Sequence, residues 1–133
     1  MELSSRDYKD LIPEMQILYL RFDEEMKKAG IPYVVTCTWR SQEEQDQLYE
    51  QGRTTPGAIV TWTHKSLHIQ RKAFDIAIVK DGKAVWDLKV DVNKDDIPDY
   101  AEAGAIGERC GLEWGGSWIS KQKDFPHFQM RET

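Results

Sequence analysis

Residues 73–79, AFDIAIV, alternate like a strand, yet they carry a carboxylate, Asp75, in their middle. In such a strand Phe74, Ile76 and Ile78 share one face, and Ala73, Asp75 and Ala77 the other. Small neighbours leave space beside Asp75, and a buried carboxylate needs a cation or strong donors. Arginine or lysine would satisfy it, and so would zinc. The chain has three histidines, His64, His68 and His127. Two of them with Asp75 make an N,N,O set, the donor count that leaves a catalytic zinc one open position. His68 precedes Asp75 by seven residues, so an unbroken strand would turn them to opposite faces. The chain must bend between them, at residues 69–72. Near the other end, Pro126 rules out a helix interior and holds Phe125 extended. A turn at Asp124 then feeds a short strand starting near His127, and Asp124 can project into the same cavity.

The elements that must position these residues follow from pattern. Leu11, Met15, Leu18, Phe22 and Met26 form one apolar helical face within residues 5–29, with Pro13 marking a helix start and residues 4–10 a separate turn. Gly30 and Pro32 stop that helix. Residues 33–39, YVVTCTW, read as a strand. Ser41, with Glu44 three residues on, caps a helix that runs to about Gln51 and ends at Gly52. Residues 52–66 are loop-like, with Pro56-Gly57 as a turn. Residues 73–79 and 83–88 flank Lys80-Asp81-Gly82 as a hairpin. A third helix spans 96–110, starting near Pro98 and ended by Gly111. Residues 113–118, EWGGSW, read as a loop and HFQM as a last strand. The fold class is α+β, a small, largely antiparallel sheet packed with helices.

Composition narrows the function. The chain of 133 residues is long enough for one domain with a real core. With 18 Lys+Arg against 23 Asp+Glu and no basic tract, it is not a phosphate-driven nucleic-acid binder. No apolar run is long enough to span a membrane. The charged start lacks the apolar core of a signal peptide. Cys37 and Cys110 lack metal-type spacing and read as two reduced thiols, with one disulfide as the alternative.

The motifs together carry a resemblance. SLHIQRKAFD fits Ser-x-His-x(6)-Asp, and DFPH places an acid three residues before a histidine. TWRSQEEQDQLYEQGRTTPGAIVT and GLEWGGSW complete an ordered set over roughly residues 34–130. The chain resembles the zinc D-alanyl-D-alanine carboxypeptidase and L-alanyl-D-glutamate peptidase family, which includes phage endolysins and vancomycin-resistance dipeptidases. The resemblance implies a hedgehog/D,D-peptidase-like fold and one zinc peptidase domain over 1–133, with no separate wall-binding domain. It implies zinc as cofactor, held by His68, Asp75 and His127. Asp124 falls at the position of the catalytic acid, Arg40 at that of the arginine after the first strand, and Ser66 at that of the serine before the first ligand. Arg40 would stabilise an oxyanion or hold a substrate carboxylate; its alternative is a surface ion pair with Glu43 or Glu44. Ser66 and Trp114 are candidate substrate contacts, against turn capping and packing. Trp118 shares that cleft-or-packing choice. Glu113 is the rival base, read as a solvated loop acid, and His64 as an exposed loop residue. Arg71 stands where family members often have glycine, so a positive φ there would strain it, and a locally rebuilt loop is expected.

The implied substrate is a peptidoglycan stem peptide, cut between L-alanine and D-glutamate. A D-alanyl-D-alanine carboxypeptidase or dipeptidase, and a non-catalytic zinc-binding module of the same fold, are the alternatives. The expected enzyme is a monomer made in the cytoplasm. It acts on the bacterial wall, released by a holin or carried in a phage virion, with a cytoplasmic recycling enzyme as the other possibility.

Overall fold

In a computed structural model of the protein, the described residues are 3–61, 63–118 and 123–131. Among them run a 3-10 turn at Tyr8–Asp10 and helix α1 at Pro13–Ala29. Strand β1 (Tyr33–Cys37), helix α2 (Gln42–Glu50), and strands β2 (Ala73–Lys80) and β3 (Lys83–Val85) follow. Helix α3 (Asp99–Arg109), strand β4 (Leu112–Trp114), a 3-10 turn at Gly115–Ser117 and strand β5 (His127–Met130) complete the order. Trp62, within the expected 52–66 loop, lies outside the described residues. No helix among the described residues is long and apolar enough to cross a membrane.

Local chemistry sets the boundaries. Pro13 occupies the first turn of α1, where its missing N–H is not needed, and Gly30 ends the helix at φ 72. Ser41 Oγ accepts the Glu44 N–H at 3.1 Å and starts α2. Asp81 and Gly82, at φ 53 and 78, make the two-residue turn that lets Lys80 pair with Lys83. Helix α3 starts at Asp99, beside the expected Pro98 start but inside the 96–110 span, because Asp91 and Asp95 accept the N–H groups of Asp96 and Ile97 and hold that stretch as a loop.

The sheet is antiparallel throughout, ordered β1-β2-β5-β4, with β3 also pairing the far end of β2. One face packs on α1 and α3. Phe74, Ile76, Ile78, Leu112 and Phe128 are buried there with Met15, Phe22, Met26 and Ile106. The other face carries the polar residues. Register aligns Cys37, Asp75 and His127 in one cross-strand row, and Glu113 with Gln129 in the next. Residues 113–118 are not all loop: β4 takes in Glu113 and Trp114, and strand alternation sends these two to opposite faces. Cys37 and Cys110 are both free thiols.

Candidate active site

The polar face of the sheet floors an open cleft of about 1310 Å³, lined by Arg40, Ser66, His68, Asp75, Trp118, Asp124 and His127 among others. His68 reaches it from a single helical turn. Ser66 Oγ accepts the His68 N–H at 3.2 Å and begins the turn. Arg71 N–H to His68 O (3.2 Å) and Lys72 N–H to Leu67 O (3.0 Å) close it. Those two bonds are the Schellman pattern, which needs a left-handed residue at the position Arg71 fills. Arg71 does sit at φ 63, so the loop is not rebuilt to avoid the strain. Its side chain offsets the cost. The guanidinium donates to Asp10 O at 3.1 Å and lies 5.0 Å from the Trp39 ring centre. The bend between His68 and Asp75 therefore falls where the spacing requires it, anchored to the N-terminal segment.

Three donors converge on one point. Asp75 Oδ1 lies 3.2 Å from His68 Nε2 and 2.9 Å from His127 Nδ1. The tautomers follow from the outer partners. His68 Nδ1 lies 3.2 Å from Thr38 O, a group that only accepts, so this nitrogen carries the proton. Glu113 Oε2 accepts from Gln129 Nε2 at 3.1 Å. The Gln129 Oε1 that remains accepts from His127 Nε2 at 2.8 Å. Each neutral ring thus turns a bare lone pair toward the Asp75 carboxylate. Two lone pairs and an anion repel unless a cation sits among them. His68 Nε2, on a ring 2% exposed, is indeed buried without a hydrogen-bond partner. Asp75, Asp124 and His127 offer donor atoms within 4.8 Å of one another, as do Cys37, His68 and Asp75. This donor set of imidazole and carboxylate, with each imidazole fixed from behind, fits a divalent metal such as zinc. Without a metal the balancing cation is a proton. Burial lowers the affinity of His68 for it, but Asp75 outweighs that and pushes the pKa up to about 10. Burial raises Asp75, and the two histidines more than reverse it, leaving it below the ordinary carboxylate range.

Asp124 lines the cleft but joins no ion pair among the described residues. Its N–H donates to Gly115 O at 3.0 Å, and its carbonyl accepts from His127 N–H at 3.1 Å. Any side chain at Gly115 would collide with Asp124 O, so that glycine allows the close approach. Burial, then the charge of Asp75, raise the Asp124 pKa above its ordinary value. Arg40 does not pair with Glu43 or Glu44. It points into the site, 3.8 Å from Asp75 Oδ2, and donates to Gln45 Oε1 at 2.8 Å.

The remaining candidates sort clearly. Trp114 does not line the cleft: it lies on the helix side of the sheet, against Gly104 and Gly116, and donates to Phe125 O at 2.8 Å. Trp118, beyond the 3-10 turn, lines the cleft instead and donates to Glu113 at 2.8 Å. Glu113 is half-buried and not a free loop acid: its Oε2 accepts from Trp118 and from Gln129. His64 bonds Asp46 at 2.9 Å and stacks near Tyr49, away from the donor cluster. Gln45 and Gln129 join the site without a motif of their own, and Cys37, readable in sequence only as a thiol, lies opposite Asp75. Gln45 is fully buried and ties Arg40 to the cleft loop through Thr63 O at 2.6 Å. The signal for Gln129 was its place two residues beyond His127, on the same strand face.

A sheet-floored cleft with two imidazoles and a carboxylate on one point, an acid at its edge and a cation behind defines a metallopeptidase-type centre. The family model described as D-alanyl-D-alanine carboxypeptidase, one of the M15 peptidases, matches residues 60–130, and the chain belongs to that family. It is 43% identical over 104 residues to the peptidoglycan L-alanyl-D-glutamate endopeptidase CwlK of Bacillus subtilis (strain 168). That match covers 76% of this chain and 62% of CwlK, so the chain spans about three-fifths of the curated relative's length. The crystal structure of the Serratia marcescens L-Ala D-Glu endopeptidase ChiX superposes with a TM-score of 0.71 at 21% identity. The superposition covers 97% of this chain and 86% of ChiX, and the two share the fold.

Proposed function

We propose that the protein is a zinc endopeptidase that hydrolyses the bond between L-alanine and D-glutamate in peptidoglycan stem peptides. The observation that carries the metal is the convergence of His68 Nε2 and His127 Nδ1 on Asp75 Oδ1, with the other nitrogen of each ring held by an acceptor. The choice of bond is supported by the likeness to CwlK. His68, Asp75 and His127 hold the zinc, which supplies Lewis acidity toward a carbonyl and toward water. Asp124 takes the proton from the attacking water and delivers it to the leaving amine as the peptide C–N bond breaks. Arg40, fixed by Gln45, donates to the oxyanion that forms on the carbonyl or to a substrate carboxylate. Ser66 caps the turn that carries His68 and presents its remaining hydrogen-bonding capacity to the cleft. Trp118 supplies an apolar wall for the peptide. The substrate lies in a bacterial wall, which the phage-lysis reading has the enzyme, a monomer, reach through a holin or from a virion.

The test is mass spectrometry of fragments from defined muropeptides, with and without a chelator. Chelator-sensitive release of peptides beginning at D-glutamate supports the proposal. Release of terminal D-alanine alone would instead assign the carboxypeptidase activity that gives the matched family model its description.

A further inference from the structure

Between the cleft-lining Trp86 and Ser117, residues 91–102 read DVNKDDIPDYAE. Oxygen-bearing side chains fall at the first, third, fifth, ninth and twelfth places: Asp91, Asn93, Asp95, Asp99 and Glu102. A loop that wraps calcium uses this spacing, with a backbone carbonyl at the seventh place, here Ile97. Such loops turn sharply at the sixth place, and Asp96 there is left-handed at φ 68. Helix α3 leaves the loop at Asp99.

Spacing alone would be weak, but two side-chain oxygens of loop residues are buried without a hydrogen-bond partner. Asp99 is 0% exposed; its Oδ2 accepts the Val92 N–H at 2.6 Å, and its Oδ1 is buried with no partner. Asn93 donates Nδ2 to Ala29 O, Asp95 and Glu102, and its Oδ1 too is buried with no partner. An unpaired dry carboxylate oxygen is costly, and a hard cation removes the cost. Among the described residues no lysine or arginine forms an ion pair with Asp91, Asp95, Asp99 or Glu102. The loop's side chains are tied together through Asn93, whose Nδ2 lies 3.3 Å from both Asp95 Oδ2 and Glu102 Oε1.

We propose that residues 91–102 bind one calcium ion, held by Asp91, Asn93, Asp95, Asp99, Glu102 and the Ile97 carbonyl. The oxygen count suits calcium, which takes six to eight, over magnesium, which demands a small octahedron and keeps its waters. The ion would brace the back wall of the cleft. Asn93 ties the loop to the end of α1, and Tyr100 donates to Val85 O at 2.6 Å and accepts from Ile78 N–H at 3.1 Å. From the loop, α3 runs behind the sheet, with Gly104 against Trp114 and Gly107 against Phe128.

The test uses the zinc-loaded protein, titrated with calcium chloride by calorimetry and melted with calcium or magnesium. One calcium per chain and a Tm rise of about 5 °C or more at saturation are expected. Magnesium should give a clearly smaller rise. Glu102→Gln and Asp95→Asn should each weaken calcium at least about tenfold with zinc content unchanged. Glu102→Gln keeps the helix and Asp95 is exposed, so neither should unfold the chain. No heat and no Tm shift with calcium, an equal shift with magnesium, or parental calcium affinity in both variants would overturn the site.

Discussion

The cleft and the acidic loop both gather ligand oxygens, but they hold them differently. In the cleft each donor rides on regular structure: Asp75 and His127 face each other across two strands, and His68 sits near the start of a capped turn. One carboxylate meets two imidazoles and an arginine, so it stays ionised even without metal. In the loop, four carboxylates meet mainly backbone N–H groups and each other, and their charge is uncompensated. The first region's donors are held in place by their own hydrogen bonds, whereas the second leaves buried oxygens of Asn93 and Asp99 unpaired for the proposed calcium to take up. Pre-organisation suits chemistry, where ligand geometry must persist through turnover, and compliance suits stabilisation, where binding energy can tighten a fold.

The sharpest way to break this contrast is to remove a cleft donor. His127→Ala and Asp75→Asn should lose zinc and essentially all peptidase activity, and metal analysis of the purified variants checks it. His64→Ala should keep both. Next comes Asp124→Asn, expected to lose about 10² to 10⁴ in rate, or roughly 3 to 5 kcal/mol of barrier, with zinc retained. Glu113→Gln is the paired control. It should lose far less, through a looser Gln129 and His127; an inactive Glu113→Gln beside an active Asp124→Asn would reassign the base. Arg40→Lys keeps the charge but not the fork that spans Gln45 and Asp75, and should cost about tenfold in kcat/KM without loss of zinc.

Smaller effects test the supports. Arg71→Ala keeps the left-handed strain and loses the Asp10 and Trp39 contacts, whereas Arg71→Gly loses the contacts and the strain together. The glycine variant should be the more stable of the two by about 1 kcal/mol in denaturant melts. The smallest effect is one of sign. The depressed pKa of Asp75 contributes stability that is present above the ordinary carboxylate value and lost as pH falls. Glu102 is raised, by burial and then Asp95, so it favours folding when protonated and costs stability as pH rises through that range. In metal-free protein at neutral pH, Glu102→Gln should therefore leave Tm equal or slightly higher, within about 1 kcal/mol, while Asp75→Asn lowers it. Equal losses in both would erase the distinction between the regions.

Much of the fold was readable because local signals agreed. Pro13, Gly30, Ser41 and the Asp81-Gly82 turn each mark an element that forms where expected. The required bend between His68 and Asp75 was also legible from strand period alone. Residues 113–118 misled because glycines mask a short strand, and missing β4 hid the alternation that turns Trp114 inward and Glu113 toward Gln129. Cys37 was invisible as a neighbour of Asp75 because cross-strand register, with its shift between Val35 and Cys37, is a long-range property. The Asp91 to Glu102 spacing lay in plain view, but a helix read from residue 96 ran through its middle.

The hydrogen-bond relay behind His127 has a direction. Glu113 fixes the amide of Gln129, and that amide fixes which nitrogen of the imidazole faces inward. Information about a tautomer is thus stored two side chains away, on a different strand. Homologous sequences should consequently drift at these two positions only in step: a lone change of Gln129 to glutamate sets two anions together, while a joint exchange that keeps an acceptor beside the ring preserves the message.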